Sequence, residues 1–497
     1  MSDNVESQSE LNQVGGAIDS PELRLVVRSY LESLRNITET AKIVLPHLAE
    51  WLQTEVQKVD EVVRKYAPEG KAGDEIVFDN AREFVEFSGA LQRWDRLQSD
   101  KSLPLLSRSL FMQIFCEFDA FIGRLLKAIY LKSDSLLRGI SREISLVELL
   151  EFDSVEAASK SMLEREVDSF RRDSYIEQFG QLERKFGIPL KKFAEWPEFV
   201  EFGQRRNFFA HNDGVVTDHY LSVCKREGGD VSSLVPGERL SVSPAYLARA
   251  LLVMSKLGYM LCHTLWSKVF PGEVSEVHDS LNSILYESLE DKRWRFAVGL
   301  SEFALSDQMR KGVSEVDLRL RIINSAIARK FSGDDAETVR LLRSVDWTAS
   351  YRDFKLAILI LEDKFDEAIS LLRDIGRRGE LLHQEAYHSW PLFERFRERE
   401  DFYSIYEEIY GEPYEADSNE LSARLIAENK HEKARLPASA NAAESAKLKK
   451  GSSARKTTVG GVVSLKKASK KSAKERRVTV DAGQASAASQ RKRGKSD

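Results

Sequence analysis

The most informative stretch of this 497-residue chain reads RRNFFAHN and spans residues 205–212. It closes a segment of apolar periodicity that predicts a helix from Lys191 to Ala210, and Asp213-Gly214 follow it as a turn signal. Arginine presents a fork of donors that matches a phosphate, and histidine can give and take a proton near neutral pH. Together these residue types are suited to cutting a phosphodiester without a metal.

Length and cysteine usage predict a multidomain protein of the cytoplasm. A chain of 497 residues is too long for one ordinary core, so two or three domains are expected. No signal peptide is expected, because no leading apolar stretch follows basic residues. The three cysteines lie far apart without CxxC spacing or a disulfide framework, which fits a reducing compartment; they are Cys116, Cys224 and Cys262.

The longest apolar run covers residues 246–266. Arg249, Lys256 and His263 interrupt it. Charged side chains inside the run favour a buried amphipathic helix over a membrane span, so no contact with a membrane is expected.

Charge is distributed unevenly along the chain. The net charge is −5, but residues 431–497 contain 18 Lys/Arg and 5 Asp/Glu, a net +13 that leaves −18 for residues 1–430. An acidic body argues against a protein that coats nucleic acid over its whole surface. The basic tail from residue 430 lacks aromatic residues and is predicted to be disordered. It is either a solvated terminus or a tether that attracts RNA through counterion release.

The first 100 residues predict a polar start and two helices. Residues 1–19 are expected to be disordered, and Ser20-Pro21 supply a capping serine and a proline at the first helical position. A helical pattern then runs to Val62, and Pro46 is expected to kink or split it. A second helix is predicted over residues 78–97, with four apolar side chains on one face: Phe84, Phe87, Leu91 and Trp94.

Residues 105–270 predict a central bundle of helices. A strong helix is expected from Leu106 to Lys132, with Glu117 and Asp119 in its middle. Residues 143–158 and 162–186 predict a short and a long helix, and the helix that carries the opening stretch follows them. No sustained strand alternation is present, so the predicted fold class is all-α.

Residues 275–425 predict a second helical region with a degenerate repeat. The sequence VRLLRSVD at residues 339–346 resembles ISLLRDIG at residues 369–376, and each follows an acidic turn and an alanine. Residues 354–361, with the helix that begins at Phe365, are typical of one tetratricopeptide-like hairpin. Such units often present a concave surface to a peptide or a partner domain, so a protein partner is expected there.

The motif at residues 206–211 resembles the Arg-x4–6-His signature of HEPN domains, including the asparagine that often follows the arginine. The continuation HNDGVVTDHYL, residues 211–221, is also similar to many bacterial HEPN proteins. The helical frame over residues 105–270 fits as well. The resemblance implies a metal-independent endoribonuclease that leaves 2′,3′-cyclic phosphate ends on RNA. It also implies activity as a homodimer, and such enzymes include toxins and phage-defence effectors.

The resemblance implies a role for each residue of the motif. Arg206 binds and polarises the scissile phosphate, and His211 acts as general acid or base. Asn207 orients the arginine or the helix end. Arg205 also satisfies the family spacing, although Asn207 favours Arg206.

An acidic residue is expected to position the arginine. Glu117 and Asp119 both lie on the helix predicted over residues 106–132, and the sequence does not separate them. A structural interpretation is also open, in which Arg206 forms an ordinary ion pair with one of these carboxylates or with Glu201 and the histidine caps a helix end. In that case the protein is a non-catalytic helical adaptor that dimerises and binds a partner protein.

The spacing of Arg206 and His211 restricts the site. Residues five apart on a straight helix diverge by roughly 140°, given 3.6 residues per turn. The two side chains share a target only if the helix ends between them, as Asn212 and the turn after it suggest, or if a second protomer completes the site. No P-loop, GxGxxG or metal-ligand spacing is present, so neither a metal nor a cofactor is expected.

Overall fold

Helices make up the structure throughout the described part of the chain. The computed structural model describes residues 22–67, 76–141 and 143–415. Within these residues the only β feature is an isolated antiparallel bridge between Val215 and Arg239, so the predicted all-α fold class is confirmed. The segments predicted to be disordered, 1–19 and 430–497, lie outside the described residues, as does the helix start predicted at Ser20-Pro21.

Helices α1 to α10 precede residue 270. They are α1 (Leu23–Tyr66), α2 (Ala81–Gln98), α3 (Ser102–Lys132), α4 (Asp134–Arg138), α5 (Leu146–Leu149), α6 (Val155–Arg172), α7 (Tyr175–Phe186), α8 (Trp196–His211), α9 (Asp218–Arg226) and α10 (Pro244–Val269). Ser154, Thr217 and Ser243 each accept a backbone N–H at the start of α6, α9 and α10. These side chains satisfy a donor that the first turn of a helix leaves unpaired.

Helices α11 to α18 follow. They are α11 (Val274–Glu290), α12 (Trp294–Ala304), α13 (Glu315–Phe331), α14 (Asp335–Leu342), α15 (Arg352–Leu361), α16 (Phe365–Ile375), α17 (Gln384–Ser389) and α18 (Glu400–Tyr410). Short 3-10 turns lie at Leu190–Lys192, Pro391–Phe393 and Phe396–Glu398.

Helix α1 is a single element that continues through Pro46. The proline does not split it. Pro46 has no N–H to donate to the Lys42 carbonyl, but both residues face solvent, so this carbonyl is not left buried without a donor. The first half of α1 packs against α3 and α10. The Tyr30 hydroxyl donates to the Met254 carbonyl at 3.0 Å, and Gly258 leaves room for the Tyr30 ring, which a Cβ would overlap.

One continuous hydrophobic core extends from Leu23 in α1 to Ile409 in α18. The segments predicted over residues 20–100, 105–270 and 275–425 therefore share buried contacts. Helix α10 lies at the centre of this core, and its burial confirms the helix predicted over residues 246–266. Among the described helices it alone is long and apolar enough to cross a membrane, and 67% of its most apolar window is buried inside the protein.

The long helix predicted over residues 162–186 is two helices. Helix α6 ends at Arg172, and α7 begins at Tyr175 after a capping box between Ser174 and Glu177. The Ser174 hydroxyl accepts the Glu177 N–H, and the Glu177 carboxylate accepts the Ser174 N–H. This reciprocal pairing favours a new helix start over continuation of α6.

Three helical hairpins in the second half of the chain share one turn geometry. They are α11–α12, α13–α14 and α15–α16. Each turn places its middle residue in the left-handed region: Lys292 (φ 54°), Gly333 (φ 83°) and Asp363 (φ 59°). The residue after it, Arg293, Asp334 or Lys364, donates its N–H to the carbonyl five residues earlier. The sequence similarity between residues 339–346 and 369–376 marks only the second and third of these hairpins.

Candidate functional site at the end of α8

Helix α8 ends in a tight turn, and the residues that follow the helix favour this turn. The helix is unbroken over Trp196–His211, and Asn212 follows it as the C-terminal cap. The N–H groups of Asn212 and Gly214 both donate to the Phe208 carbonyl at 2.9 Å. Gly214 has a φ of 73°, and a Cβ there would lie 2.9 Å from the Phe209 ring, so a side chain at this position is strained.

Arg206 and His211 therefore lie on one uninterrupted helix. Their directions differ by roughly 140°, and their Cα atoms are separated by about 7.5 Å along the axis. The alternative in which the helix ends between them is wrong. Phe208 and Phe209 are buried, and this anchoring keeps the last turn of α8 helical up to His211. The alternative in which a second protomer completes the site stays a prediction.

Arg206 is held loosely at a half-exposed position. Its side chain is 29% exposed. Nη1 donates to Oδ1 of Asn207 at 3.0 Å, whereas Nη2 lies 3.6 Å from Oδ2 of Asp119, which is too long for a direct hydrogen bond. The Nε atom is buried without an acceptor. The guanidinium is thus oriented by two neighbours while its Nε and Nη2 donors remain short of close acceptors.

Asp119 on α3 is the carboxylate beside Arg206. The Tyr175 hydroxyl donates to Oδ1 of Asp119 at 2.9 Å, and the Asp119 side chain is 22% exposed. Burial raises the pKa of Asp119, and the Tyr175 hydroxyl, Arg206 and Arg171 oppose that rise. Burial and the Asp119 charge raise the pKa of Tyr175, which therefore stays a donor at neutral pH.

Glu117, the other carboxylate considered from the sequence, lies outside this arrangement. Its Oε1 accepts a hydrogen bond from Nε2 of Gln113 at 2.9 Å, one turn earlier on α3. Positions 117 and 119 are roughly 200° apart around a helix, so only one of them can face α8. The structure brings Asp119 to Arg206 and leaves Glu117 on a different side of α3.

The position of Tyr175 depends on close packing between α7 and α8. Tyr175 is the first residue of α7, and its ring lies 5.5 Å from the ring of Phe115. A Cβ at Gly203 of α8 would lie 2.9 Å from the Tyr175 ring. The small residue therefore lets the tyrosine reach Asp119. The signal for this arrangement in the sequence is the capping serine at Ser174.

Arg205 belongs to a different and largely buried cluster. Its Nε donates to Oε1 of Glu201 at 2.8 Å and its Nη1 to the Ser241 carbonyl at 2.7 Å. The hydroxyls of Tyr220 and Tyr246 also donate to Glu201, and the Arg205 guanidinium lies 4.1 Å from the centre of the Tyr246 ring. Arg205 and Glu201 are each 9% exposed. Arg205 is therefore part of the core and is not available to a substrate.

His211 and Asn212 are exposed at the end of α8. The His211 side chain makes no hydrogen bond or ion pair with any described residue, which leaves its imidazole free to act on a bound molecule. Arg108 of α3, which the motif does not mark, donates from Nη2 to the Phe209 carbonyl at 3.0 Å. A cation at a helix C-terminus is favoured by the helix dipole, so Arg108 stabilises the turn that carries His211.

The side chains at this site can bind an anion. In the part of the chain that the structure describes, no group of three or more His, Cys, Asp or Glu residues is placed to hold a metal ion. A phosphate oxygen can accept from the Nη2 of Arg206, whose present partner is the distant carboxylate of Asp119. The arrangement therefore offers an arginine for a phosphate and a separate histidine for proton transfer.

Comparison with protein families, with curated proteins and with solved structures finds no match to this chain. The chemistry of the α8 end is therefore inferred from its own side chains. Arg206, Asn207 and Asp119 form one cluster, whereas His211 lies apart from it and Arg205 is buried on another side.

Proposed function

We propose that this protein is a metal-independent endoribonuclease of the HEPN type, active as a homodimer in the cytoplasm. The observation that supports the proposal best is the state of Arg206. Asn207 and Asp119 orient its guanidinium at a partly exposed position, and its Nη2 lies 3.6 Å from the Asp119 carboxylate, too far for a direct hydrogen bond. The resemblance of residues 206–211 to the HEPN signature supports the same function, and a toxin or phage-defence effector is the biological role that fits it.

The proposed reaction needs only an arginine, a histidine and the RNA itself. Arg206 binds a non-bridging oxygen of the scissile phosphate and stabilises the charge that develops there. His211 removes the proton of the ribose 2′-hydroxyl, and the P–O2′ bond forms as the P–O5′ bond breaks. A protonated His211 or a water molecule supplies a proton to the departing 5′-oxygen. The products are a 2′,3′-cyclic phosphate and a 5′-hydroxyl end.

A second copy is needed because the two side chains diverge on α8. On one straight helix, Arg206 and His211 point about 140° apart, so one phosphodiester cannot contact both of them easily. Two copies related by a two-fold axis can place Arg206 of one copy opposite His211 of its partner. RNA is the partner that follows, together with a second copy of the chain.

A mixing experiment tests this composite site. Arg206→Ala and His211→Ala are each expected to stop cleavage of RNA in EDTA. When the two inactive proteins are unfolded together, mixed and refolded, half of the dimers are heterodimers, and each heterodimer has one complete site. Cleavage should then return to roughly a quarter of the wild-type rate, with 2′,3′-cyclic phosphate ends.

Three results would overturn parts of the proposal. If wild type does not cut RNA, the ribonuclease function is wrong. If both single variants cut normally, Arg206 and His211 are not its catalytic residues. If wild type cuts and the mixed variants do not, each site is not shared between an arginine and a histidine of different copies. If EDTA stops cleavage, the reaction is not independent of metal.

A second candidate function is that of a helical adaptor for a partner protein such as an antitoxin or a trigger. An open recess of about 590 Å³ lies on the α15–α16 hairpin. Its apolar lining includes Ile358, Leu359 and Leu371, and Lys355 and Glu367 add charges. Such a recess suits an apolar side chain of a bound segment. Loss of a stoichiometric partner in Leu359→Glu, together with no RNA cleavage by wild type, would favour the adaptor.

A further inference from the structure

Helix α2 and the second half of α1 form a hairpin with almost no core of its own. Among the described residues beyond Leu45, α1 has one fully buried residue, Val59, and α2 has one, Ala90. Helix α2 packs chiefly against α1. Two helices cannot bury their apolar surface on each other alone, so part of it remains exposed to solvent.

Two of the three large apolar side chains that α2 exposes lie along one line, and the third, Val85, lies about 100° around the helix from Phe84. Phe84 is 55% exposed and Leu91, seven residues later, is 43% exposed. Ser88 and Asp95 continue the same line, because positions four, seven and eleven residues apart share a helix face. We call Phe84, Ser88, Leu91 and Asp95 the α2 stripe. Beside it, Phe87 and Trp94 are half-buried, and the Phe87 ring lies 6.1 Å from the Tyr66 ring of α1.

We propose that the α2 stripe is the surface through which two copies of this chain pair. The interface would turn two hairpins into a four-helix bundle, in which each stripe is covered by its symmetry mate. Phe84 and Leu91 would become buried, and the half-buried Phe87 and Trp94 would lose their remaining contact with water. This proposal concerns assembly and does not rest on the ribonuclease activity.

The distribution of charge favours a second copy as the occupant. Residues 46–66 and 81–98, which form the hairpin, contain seven Asp/Glu and six Lys/Arg, whereas residues 1–430 together carry −18. Two acidic bodies repel each other over most of their surface, and a nearly neutral apolar hairpin is where they can approach. An anionic membrane is a poorer match, because helices that lie on membranes carry an excess of Lys and Arg that this hairpin lacks.

The α2 stripe is also self-complementary in an antiparallel arrangement. If a two-fold axis passes midway between Phe87 and Ser88, Phe84 of one copy lies opposite Leu91 of the other. The same symmetry places Asp95 beside Asn80, which caps the start of α2. A carboxylate is favoured at a helix N-terminus by the helix dipole. The small side chain of Ser88 lies near the axis, where the two helices must approach most closely.

The apolar side chains around the α2 stripe supply part of the area that a dimer needs. A fully buried aromatic side chain covers about 150–250 Å². Part of each side chain is already covered within its own copy, so Phe84, Leu91, Phe87 and Trp94 from two copies supply less than the roughly 1,200–2,000 Å² that stable interfaces bury. Other apolar side chains of α1 remain exposed on the same hairpin, including Trp51 at 56%.

The full-length protein tests the proposal through its mass in solution. Light scattering across a concentration series should show wild type at twice the chain mass. Phe84→Glu with Leu91→Glu should weaken dimerisation by roughly 100-fold or more, because two central apolar contacts become charged. The matched control is Gln53→Glu with Gln57→Glu, which adds the same charge at exposed positions of α1 and should leave the dimer unchanged.

A disulfide experiment covers the case in which the double variant fails to fold. With the exposed Cys116 replaced by serine, Ser88→Cys should form a covalent dimer on mild oxidation, because position 88 lies near the proposed axis. Gln57→Cys in the same background should not. Circular dichroism of each variant reports whether the helices are retained.

Several results would overturn the proposal. A wild-type protein that is monomeric at every concentration would do so, as would a folded Phe84→Glu, Leu91→Glu variant that remains dimeric. A monomeric wild type that floats with vesicles containing phosphatidylserine, when the double variant does not, would assign the stripe to a membrane instead. The mixing experiment with Arg206→Ala and His211→Ala is a separate readout, so dimerisation through another surface remains distinguishable from loss of the ribonuclease function.

Discussion

Arg205 and Arg206 are adjacent on α8 and have opposite surroundings. Arg205 is enclosed, with hydrogen bonds of 2.8 and 2.7 Å to Glu201 and the Ser241 carbonyl. Arg206 is 29% exposed, its carboxylate partner is 3.6 Å away, and its Nε lacks an acceptor. A turn of about 100° per residue sends the first arginine towards α9 and α10 and the second towards α3 and α7. Two identical side chains therefore have different capacities to meet a ligand.

The completeness of each hydrogen-bond network explains this difference. Tyr220 and Tyr246 also donate to the carboxylate that pairs with Arg205, so the buried charges are compensated on several sides. A network of this kind specifies the packing of three helices, and the burial of Arg205 keeps its guanidinium from a substrate. The neighbouring network around Arg206 is incomplete, which is the state expected of a group that exchanges one partner for another during binding.

The largest expected effect is on stability, in Arg205→Ala. The substitution leaves the Glu201 charge buried without its cation, which costs about 3–5 kcal/mol of unfolding free energy. Urea denaturation followed by circular dichroism measures the change. Adding Glu201→Gln to the same chain should recover part of the loss, because no unpaired charge then remains. A loss below about 1 kcal/mol in Arg205→Ala would mean that the enclosed network is not structural.

The next effect is on activity, in Arg206→Ala. Loss of the proposed phosphate contact should lower the rate of RNA cleavage by roughly 100- to 1,000-fold. Unfolding free energy should change by no more than about 1 kcal/mol, because the ion pair to Asp119 is long and partly exposed. The comparison fails if Arg206→Ala destabilises the protein as strongly as Arg205→Ala does.

A matched control separates charge from geometry at position 206. Arg206→Lys keeps the positive charge but loses the planar fork that can hold two phosphate oxygens. Its cleavage rate should lie between those of wild type and Arg206→Ala. Equal rates for Arg206→Lys and wild type would show that the fork contributes nothing, and the role of Asn207 in orienting it would then be wrong as well.

Part of this arrangement is predictable from the sequence. Periodicity identifies the all-α fold class and the buried α10, and the residue after Arg206 favours it over Arg205. The hydrogen bond from Arg206 to Asn207 agrees with that preference. The choice between Glu117 and Asp119 is not predictable, because it depends on where α7 places the Tyr175 hydroxyl. That contact joins residues 56 positions apart in the chain, beyond the reach of local patterns.

Two further features show why local patterns fail elsewhere. The break between α6 and α7 has a signal in the sequence, a serine followed three residues later by a glutamate, which competes with the apolar periodicity around it. The turn that the three helical hairpins share has almost no signal in the sequence, because Lys292, Gly333 and Asp363 share a backbone conformation and not a side chain. Backbone geometry can therefore repeat where side chains do not.

The smallest expected effect is a pH dependence in Asp119→Asn. Burial raises the pKa of Asp119 in the folded protein above its unfolded value, so protonation of this carboxyl favours the fold. Its contribution to stability is present below the unfolded pKa and is lost as pH rises through the folded pKa. Asparagine does not titrate, so the stability of Asp119→Asn relative to wild type should increase with pH across this acidic window, by less than about 1 kcal/mol. Urea denaturation of both proteins at several pH values measures it.

Tyr175→Phe removes a hydrogen bond that lowers the pKa of Asp119. In a chain that carries Tyr175→Phe, the acidic window should therefore move to higher pH. A difference that does not vary with pH would mean that folding leaves the pKa of Asp119 unchanged, and the contrast between the two arginines would then rest on exposure alone.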